Sequence, residues 1–146
     1  MALRDRLREE LNASRKARNT ALTMVLGTVL ADIENHRISV KREISDDDVA
    51  EVIRKAVKRR RESMDAFEKG GRPKLAATER DEAEALARYL PEPASDEEVH
   101  AAVRAAIVDG ATQIGAVMSK VVPALKGRAE GTTISRIARE ELGTPR

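Results

Sequence analysis

Apolar residues recur at helical spacing along almost the whole chain, and no segment shows the strict alternation of apolar and polar residues that is typical of a half-buried β-strand. The clearest case is a stripe in the first third of the sequence. It is made of Leu22, Val25, Leu26, Val29, Leu30 and Ile33. Residues at this spacing line one side of a helix and can pack against neighbouring helices. The pattern therefore predicts an all-α protein.

Seven helices follow from this period and from the residues that start and stop helices. We predict them over residues 3–15, 19–36, 45–69, 74–89, 95–108, 112–125 and 133–142, with residues 37–44 as a loop. Ser45 with Asp48, and Ser95 with Glu98, have the spacing of a capping box, in which each side chain accepts a hydrogen bond at the start of a helix.

Pro91 and Pro93 predict a boundary, because two prolines so close together cannot continue a helix. We therefore expect two domains. The first is an N-terminal bundle of about four helices over residues 1–93, and the second is a small three-helix domain over residues 94–146.

The composition limits the chemistry of the protein. No cysteine is present among the 146 residues, which excludes disulfides, thiolate metal sites and a cysteine nucleophile. The charged N-terminus leads into no apolar segment of the kind found in signal peptides, and no stretch is apolar enough to span a bilayer. We expect a soluble, cytoplasmic protein that needs no cofactor. The net charge of +2 is mild, so binding to a polyanion would have to depend on local clusters of charge.

One such cluster lies in the third predicted helix, where residues 52–61 contain six basic residues and no acid. Five of the six project away from the apolar stripe, whereas Arg60 projects onto the apolar side between Ala56 and Met64. One interpretation is that the five contact the phosphates of a nucleic acid; the other is that they form an ordinary solvated helix face. They are Arg54, Lys55, Lys58, Arg59 and Arg61.

The second cluster lies near the C-terminus, where residues 110–146 hold six basic and three acidic residues. Lys126, Gly127 and Arg128 form a loop, and Lys120 precedes it. Glycine lets a backbone come close to a partner, and the neighbouring cations suit a phosphate. The alternative is a plain connection between two helices.

The sequence shows no active site. It contains no phosphate-binding loop and no nucleophile elbow. Asp32 and His36 lie one helical turn apart, but two ligands do not make a metal site. Residues 133–140 read like the recognition helix of a DNA-binding helix-turn-helix, although the connection before them is longer than that motif allows. A protein-interaction module with solvated charged helices also remains open.

The chain resembles the YqeY family over nearly its whole length. The basic stretch up to Arg61 is similar to the family's third helix, and Ala116 and Glu130 depart from its pattern by standing where the family often has lysine and aspartate. The segments that carry the resemblance are Lys16-Ala17-Arg18, Ser45-Asp46-Asp47-Asp48-Val49, Tyr89-Leu90-Pro91, Ile114-Gly115-Ala116-Val117-Met118 and Lys126-Gly127-Arg128-Ala129-Glu130-Gly131.

This resemblance implies a helical bundle followed by a C-terminal domain similar to the tail of GatB, the tRNA-handling subunit of the glutamine-dependent amidotransferase. It implies an association with carbon–nitrogen ligation in which glutamine donates the amide. The chain lacks that enzyme's catalytic machinery, so the resemblance implies an accessory module. Its expected partners are tRNA or another structured RNA, and proteins of amidotransfer or tRNA synthesis.

Overall fold

A computed structural model describes residues 2–143, and these residues form seven α-helices and no β-strand. The all-α prediction is therefore confirmed. Met1 and residues 144–146, which the predicted domains include, lie outside the described residues. The helices are α1 (Ala2–Lys16), α2 (Thr20–Val40), α3 (Asp46–Lys69), α4 (Pro73–Ala87), α5 (Asp96–Val108), α6 (Ile114–Ala124) and α7 (Gly131–Leu142).

The chain divides into two compact units, one ending at Leu90 and the other beginning at Pro91. In the first unit, α1–α4 pack around an aliphatic core in which Leu7, Leu26, Ile33, Ile53 and Leu86 are fully buried. Such a core suits helix packing, because the branched side chains of Leu and Ile interdigitate in well-defined rotamers. In the second unit, α5–α7 pack around a separate core of Val99, Val103, Val117, Ile134 and Ile137.

Local signals explain where several helices begin. The Ser45 hydroxyl accepts from the Asp48 N–H at 3.2 Å, and the Asp48 carboxylate accepts from the Ser45 N–H at 2.8 Å, so the predicted capping box opens α3. The Ser95 hydroxyl caps α5 by accepting from the Glu98 N–H at 3.1 Å. These bonds satisfy backbone donors that have no partner inside the helix.

The predicted end of α2 is wrong, because the helix continues past His36 to Val40. Arg37, which we expected to begin a loop, donates from Nε to the Glu34 carboxylate at 3.1 Å one turn earlier on the same helix. A charged pair at this spacing supports a helix. The helix ends where Lys41 adopts the left-handed conformation, with φ of 54°, and its N–H bonds to the Arg37 carbonyl.

In the second unit, α6 and α7 each begin two residues away from the predicted start, at Ile114 and Gly131. Pro123 lies in the last turn of α6, which ends at Ala124, as a proline near a helix end predicts. Within the described part of the chain, no helix has the length and apolar character needed to cross a bilayer.

Candidate nucleic-acid interface

The basic run of α3 faces solvent in the middle of the longest helix. Lys55, Lys58 and Arg61 are all exposed, and none of them pairs with a carboxylate of the described residues. Together they form what we call the α3 cluster. Because none of the three forms an ion pair with a described residue, their N–H donors are available to an external anion.

The other two predicted contact residues of α3 are engaged within the protein. Arg54 donates to the Glu51 carboxylate one turn earlier, from Nη2 at 2.8 Å and from Nε at 3.0 Å. Arg59 reaches across to α2 and donates from Nη2 to the Asp32 carboxylate at 3.1 Å, although its side chain is still 63% exposed. Both guanidiniums retain unused donors, but part of their charge is already compensated.

Arg60 lies on the apolar side of α3, as predicted, and its side chain is only 13% exposed. Its Nε donates to the Glu82 carboxylate of α4 at 3.2 Å, and its Nη1 donates to the Ala56 carbonyl at 3.1 Å. This arginine therefore ties α3 to α4 and is not part of the exposed basic surface.

A groove of about 410 Å³ runs between α2 and α3 beside the α3 cluster. Three cations and three carboxylates line it, so the groove as a whole carries little net charge. His36 also lines it, next to Asp32, but no group of three potential metal ligands occurs among residues 2–143. The groove is lined by Asp32, His36, Glu51, Val52, Lys55, Lys58, Arg59 and Glu62.

Arg128, a predicted phosphate contact, holds two segments of the second unit together. Its Nε donates to the Glu92 carbonyl at 2.9 Å, and its Nη2 donates to both oxygens of the Glu98 carboxylate at 2.9 and 3.2 Å. Its carbonyl accepts from the Ala94 N–H at 2.7 Å. These bonds fasten the segment after Pro91 and the first turn of α5 to the loop between α6 and α7.

The remaining predicted residues of that loop differ from one another. Lys120 pairs with Asp109 at 3.0 Å. Lys126 is exposed and has no carboxylate partner in the part of the chain that the structure describes. Gly127 has a φ of 79°, a conformation that favours glycine and allows the chain to turn there. The loop therefore presents one uncompensated cation rather than three.

The segment that reads like a recognition helix forms α7. Six residues, 125–130, separate α6 from α7, which exceeds the three to four residues of a helix-turn-helix. Arg136 on this helix pairs with Glu140 at 3.2 Å and with Asp96 of α5 at 3.6 Å. Near the end of α7, the Glu141 carboxylate accepts from Arg104 and His100, and these bonds lower the pKa of Glu141 below its ordinary value.

A further group of cations was missed by the sequence analysis, because it joins Arg4 to the distant stretch 37–44 and forms no continuous run. Arg4 of α1, Arg37 near the end of α2, and Lys41 and Arg42 after it line a cavity of about 810 Å³, which we call the arginine cavity. The remaining lining residues are Ile38, Glu43 and Ile44. A hint was present in the acid-free, basic tripeptide from Val40 to Arg42, but its link to α1 depends on the fold.

Comparison with known proteins places the chain in a family. The model of the YqeY family, described as Yqey-like protein, matches residues 4–142, and the chain belongs to this family. Among the curated proteins, an uncharacterised protein of Schizosaccharomyces pombe is 33% identical over 90 residues, which cover 62% of this chain and 73% of that protein.

Proposed function

We propose that this protein is an RNA-binding accessory module that recognises tRNA or another structured RNA and carries no catalytic residues of its own. The observation that carries the proposal is the α3 cluster, in which Lys55, Lys58 and Arg61 are exposed and form no ion pair with a described carboxylate. Cations in this state can displace the counterions that surround a phosphate backbone, and this release supplies most of the binding free energy.

The kind of RNA follows from what the surface lacks. The chain has one Phe, one Tyr and no Trp, and Tyr89 is buried. Single-stranded RNA is usually held by aromatic side chains on which bases stack, whereas folded RNA is recognised by shape and phosphate contacts. A rigid helix that presents cations without aromatic residues therefore fits a structured RNA. The resemblance of the C-terminal part to the GatB tail, which is implied to contact tRNA, supports tRNA as that RNA and an ancestral or functional link to glutamine-dependent amidotransfer.

The test is the binding of purified protein to bulk tRNA across a salt series. The wild type is compared with a variant in which Lys55, Lys58 and Arg61 are changed to Gln. We expect binding that weakens steeply with salt, and a variant whose slope of log K against log salt is lower by about two to three.

A matched control separates clustering from net charge. Arg15, Lys16 and Lys74 are also exposed and have no carboxylate partner among the described residues, so changing them to Gln removes the same three charges. The control should keep most of the wild-type affinity and slope. Equal losses in both variants would reduce the effect to net charge, and no tRNA binding at low salt would refute the proposal.

The second candidate function is a protein-interaction module whose partners are proteins of amidotransfer or tRNA synthesis. It is favoured by α2, whose outward side carries Met24 and Ile38 at 67% and 58% exposure. Apolar side chains on one side of a helix add buried area when another protein covers that side, whereas single ones are common on any surface. Binding to such a partner that changes little with salt, together with absent tRNA binding, would favour this candidate.

A further inference from the structure

The arginine cavity has the composition of an anion site in a place separate from the α3 cluster. No residue lines both this cavity and the groove between α2 and α3. Four cations and one acid, Glu43, line the cavity. We propose that it binds a phosphate group, in either a nucleoside monophosphate or the backbone of an RNA. This inference stands apart from the proposed function and can hold if tRNA binding fails.

Several guanidinium groups surround one carboxylate beside the cavity. Glu34 accepts from Arg4 Nη2 at 3.1 Å and from Arg37 Nε at 3.1 Å. The hydrogen bonds from Arg37, together with the charges of Arg37, Arg4 and Arg8, lower the pKa of Glu34. One carboxylate can neutralise only one of these guanidiniums. The group therefore keeps a positive charge at neutral pH and favours a second anion nearby.

These guanidiniums are held in place by hydrogen bonds before a ligand arrives. The Arg4 side chain is only 16% exposed and uses one of its five N–H donors on Glu34, so others remain available. Arg42 is held by two bonds to Asp48, at 2.8 and 3.0 Å, and by a third to the Glu43 carbonyl, so its charge is compensated and it offers the cavity only its remaining N–H donors. Cations fixed in this way lose little side-chain entropy when they bind.

Lys41 is exposed and pairs with no carboxylate of residues 2–143. It ends α2 in the left-handed conformation, where glycine or asparagine is usually found. A lysine there costs conformational energy but sets an uncompensated ammonium at the edge of the cavity. Ile38 and Ile44 provide an apolar wall beside these cations, which suits the base or sugar of a nucleotide.

The left-handed position allows a substitution that removes the charge without straining the fold. Lys41→Gly takes away the ammonium and relieves the left-handed backbone. Arg18→Gly is the matched control, because Arg18 is an exposed cation with a φ of 58° and does not line the cavity. Both variants should remain as stable as the wild type, so that a difference in ligand binding reports on the cavity alone.

The experiment uses the full chain labelled with ¹⁵N, and follows backbone amides by NMR while inorganic phosphate, AMP, adenosine or a short RNA duplex is added. We expect phosphate and AMP to shift the amides of residues 37–44 with a Kd of about 1 mM or below, and adenosine to have no effect. Lys41→Gly should weaken the binding about three- to tenfold, and Arg18→Gly should not.

The outcomes distinguish the two sources of phosphate. Binding of AMP assigns the cavity to a free nucleotide, whereas shifts with the RNA duplex alone, weakened by Lys41→Gly, assign it to backbone phosphates. No shift of residues 37–44 with any phosphate-bearing probe, or equal weakening in both glycine variants, would overturn the inference. The variant of the α3 cluster should bind AMP like the wild type, so a failure of tRNA binding leaves this result intact.

Discussion

Two regions of this protein have similar basic sequences but use their charges differently. In the α3 cluster, Lys55, Lys58 and Arg61 face solvent without an acidic partner. In the loop between α6 and α7, Arg128 is bonded to Glu92 and Glu98 and only Lys126 is uncompensated. A cluster of cations in the sequence is therefore not a measure of available charge. What matters is whether the fold brings a carboxylate within reach of each one.

The largest effect should appear when the cations of each region are neutralised separately and the two variants are compared in an RNA-binding assay. A variant in which Lys120 of α6 and Lys126 and Arg128 of the following loop are changed to Gln loses three charges, as the α3 variant does. Because two of its three cations are paired internally, we expect its slope of log K against log salt to fall by about one or less, against two to three for the α3 variant. Filter binding across a salt series measures both. A loss in the loop variant that equals or exceeds that of the α3 variant would break the comparison.

Arg128→Ala should destabilise the second unit, because it leaves the Glu92 carbonyl and the Glu98 carboxylate without their donor. The expected loss is about 0.5–1 kcal/mol in the free energy of unfolding, because these bonds lie at the surface and water can replace the lost donor. Hydrogen exchange of amides in residues 94–129 measures it without mixing the two units. Arg61→Ala is the control and should change the first unit's stability by less than about 0.5 kcal/mol. If Arg128→Ala changed the free energy of unfolding as little as Arg61→Ala does, the bonds of Arg128 would not stabilise the second unit.

The ion pair between Arg42 and Asp48 should make the stability of the first unit depend on pH. Hydrogen bonds from Arg42 and from the Ser45 N–H hold the pKa of Asp48 well below its ordinary value of 3.8. The ionised form therefore stabilises the fold above that ordinary value, and the contribution is lost as the pH falls through the folded pKa. Urea unfolding of the first unit should show wild type more stable than Asp48→Asn at neutral pH, with the difference shrinking in acid. A difference that does not change with pH would contradict this account.

The smallest effect should distinguish Arg59 from its neighbour Lys58, since Arg59 is bonded to Asp32 and Lys58 has no partner. Lys58→Gln should lower the salt slope of RNA binding by nearly one, and Arg59→Gln by less. Asp32→Asn should have the opposite effect and tighten the binding of tRNA about twofold, because it frees Arg59 and removes a negative charge. Each variant is titrated with tRNA at several salt concentrations, which gives the slope, and the affinity of Asp32→Asn is compared with wild type at the lowest of them. Weaker binding by Asp32→Asn would count against the α3 surface as the contact.

Much of the fold could be read from local signals. The hydrophobic period predicts the helices, Ser45 with Asp48 predicts the start of α3, and Pro91 with Pro93 predicts where the first bundle ends. The error at the end of α2 arose because Arg37 stabilises the helix through a side-chain pair, which a composition-based loop prediction does not consider.

The candidate sites could be predicted only in part. The α3 cluster belongs to the basic run of residues 52–61, so its exposure on the outer side of the helix follows from helical geometry. The roles of Arg59 and Arg128 could not be predicted, because Asp32 and Glu98 are 27 and 30 residues away along the chain. The arginine cavity was missed for the same reason, since Arg4 and Arg37 meet at Glu34 only after α1 packs against α2.

The sequence by itself determined the all-α class, most helix limits, the aliphatic core and the membership of a family whose pattern spans residues 4–142. These properties depend on residues close together in the chain, where spacing is enough. Only the tertiary structure decided which cations remain uncompensated, because an ion pair depends on the distance between side chains from different helices. Lys58 has no carboxylate of the described residues within ion-pair distance, whereas Arg128 lies within hydrogen-bond distance of Glu98 and holds its own unit together.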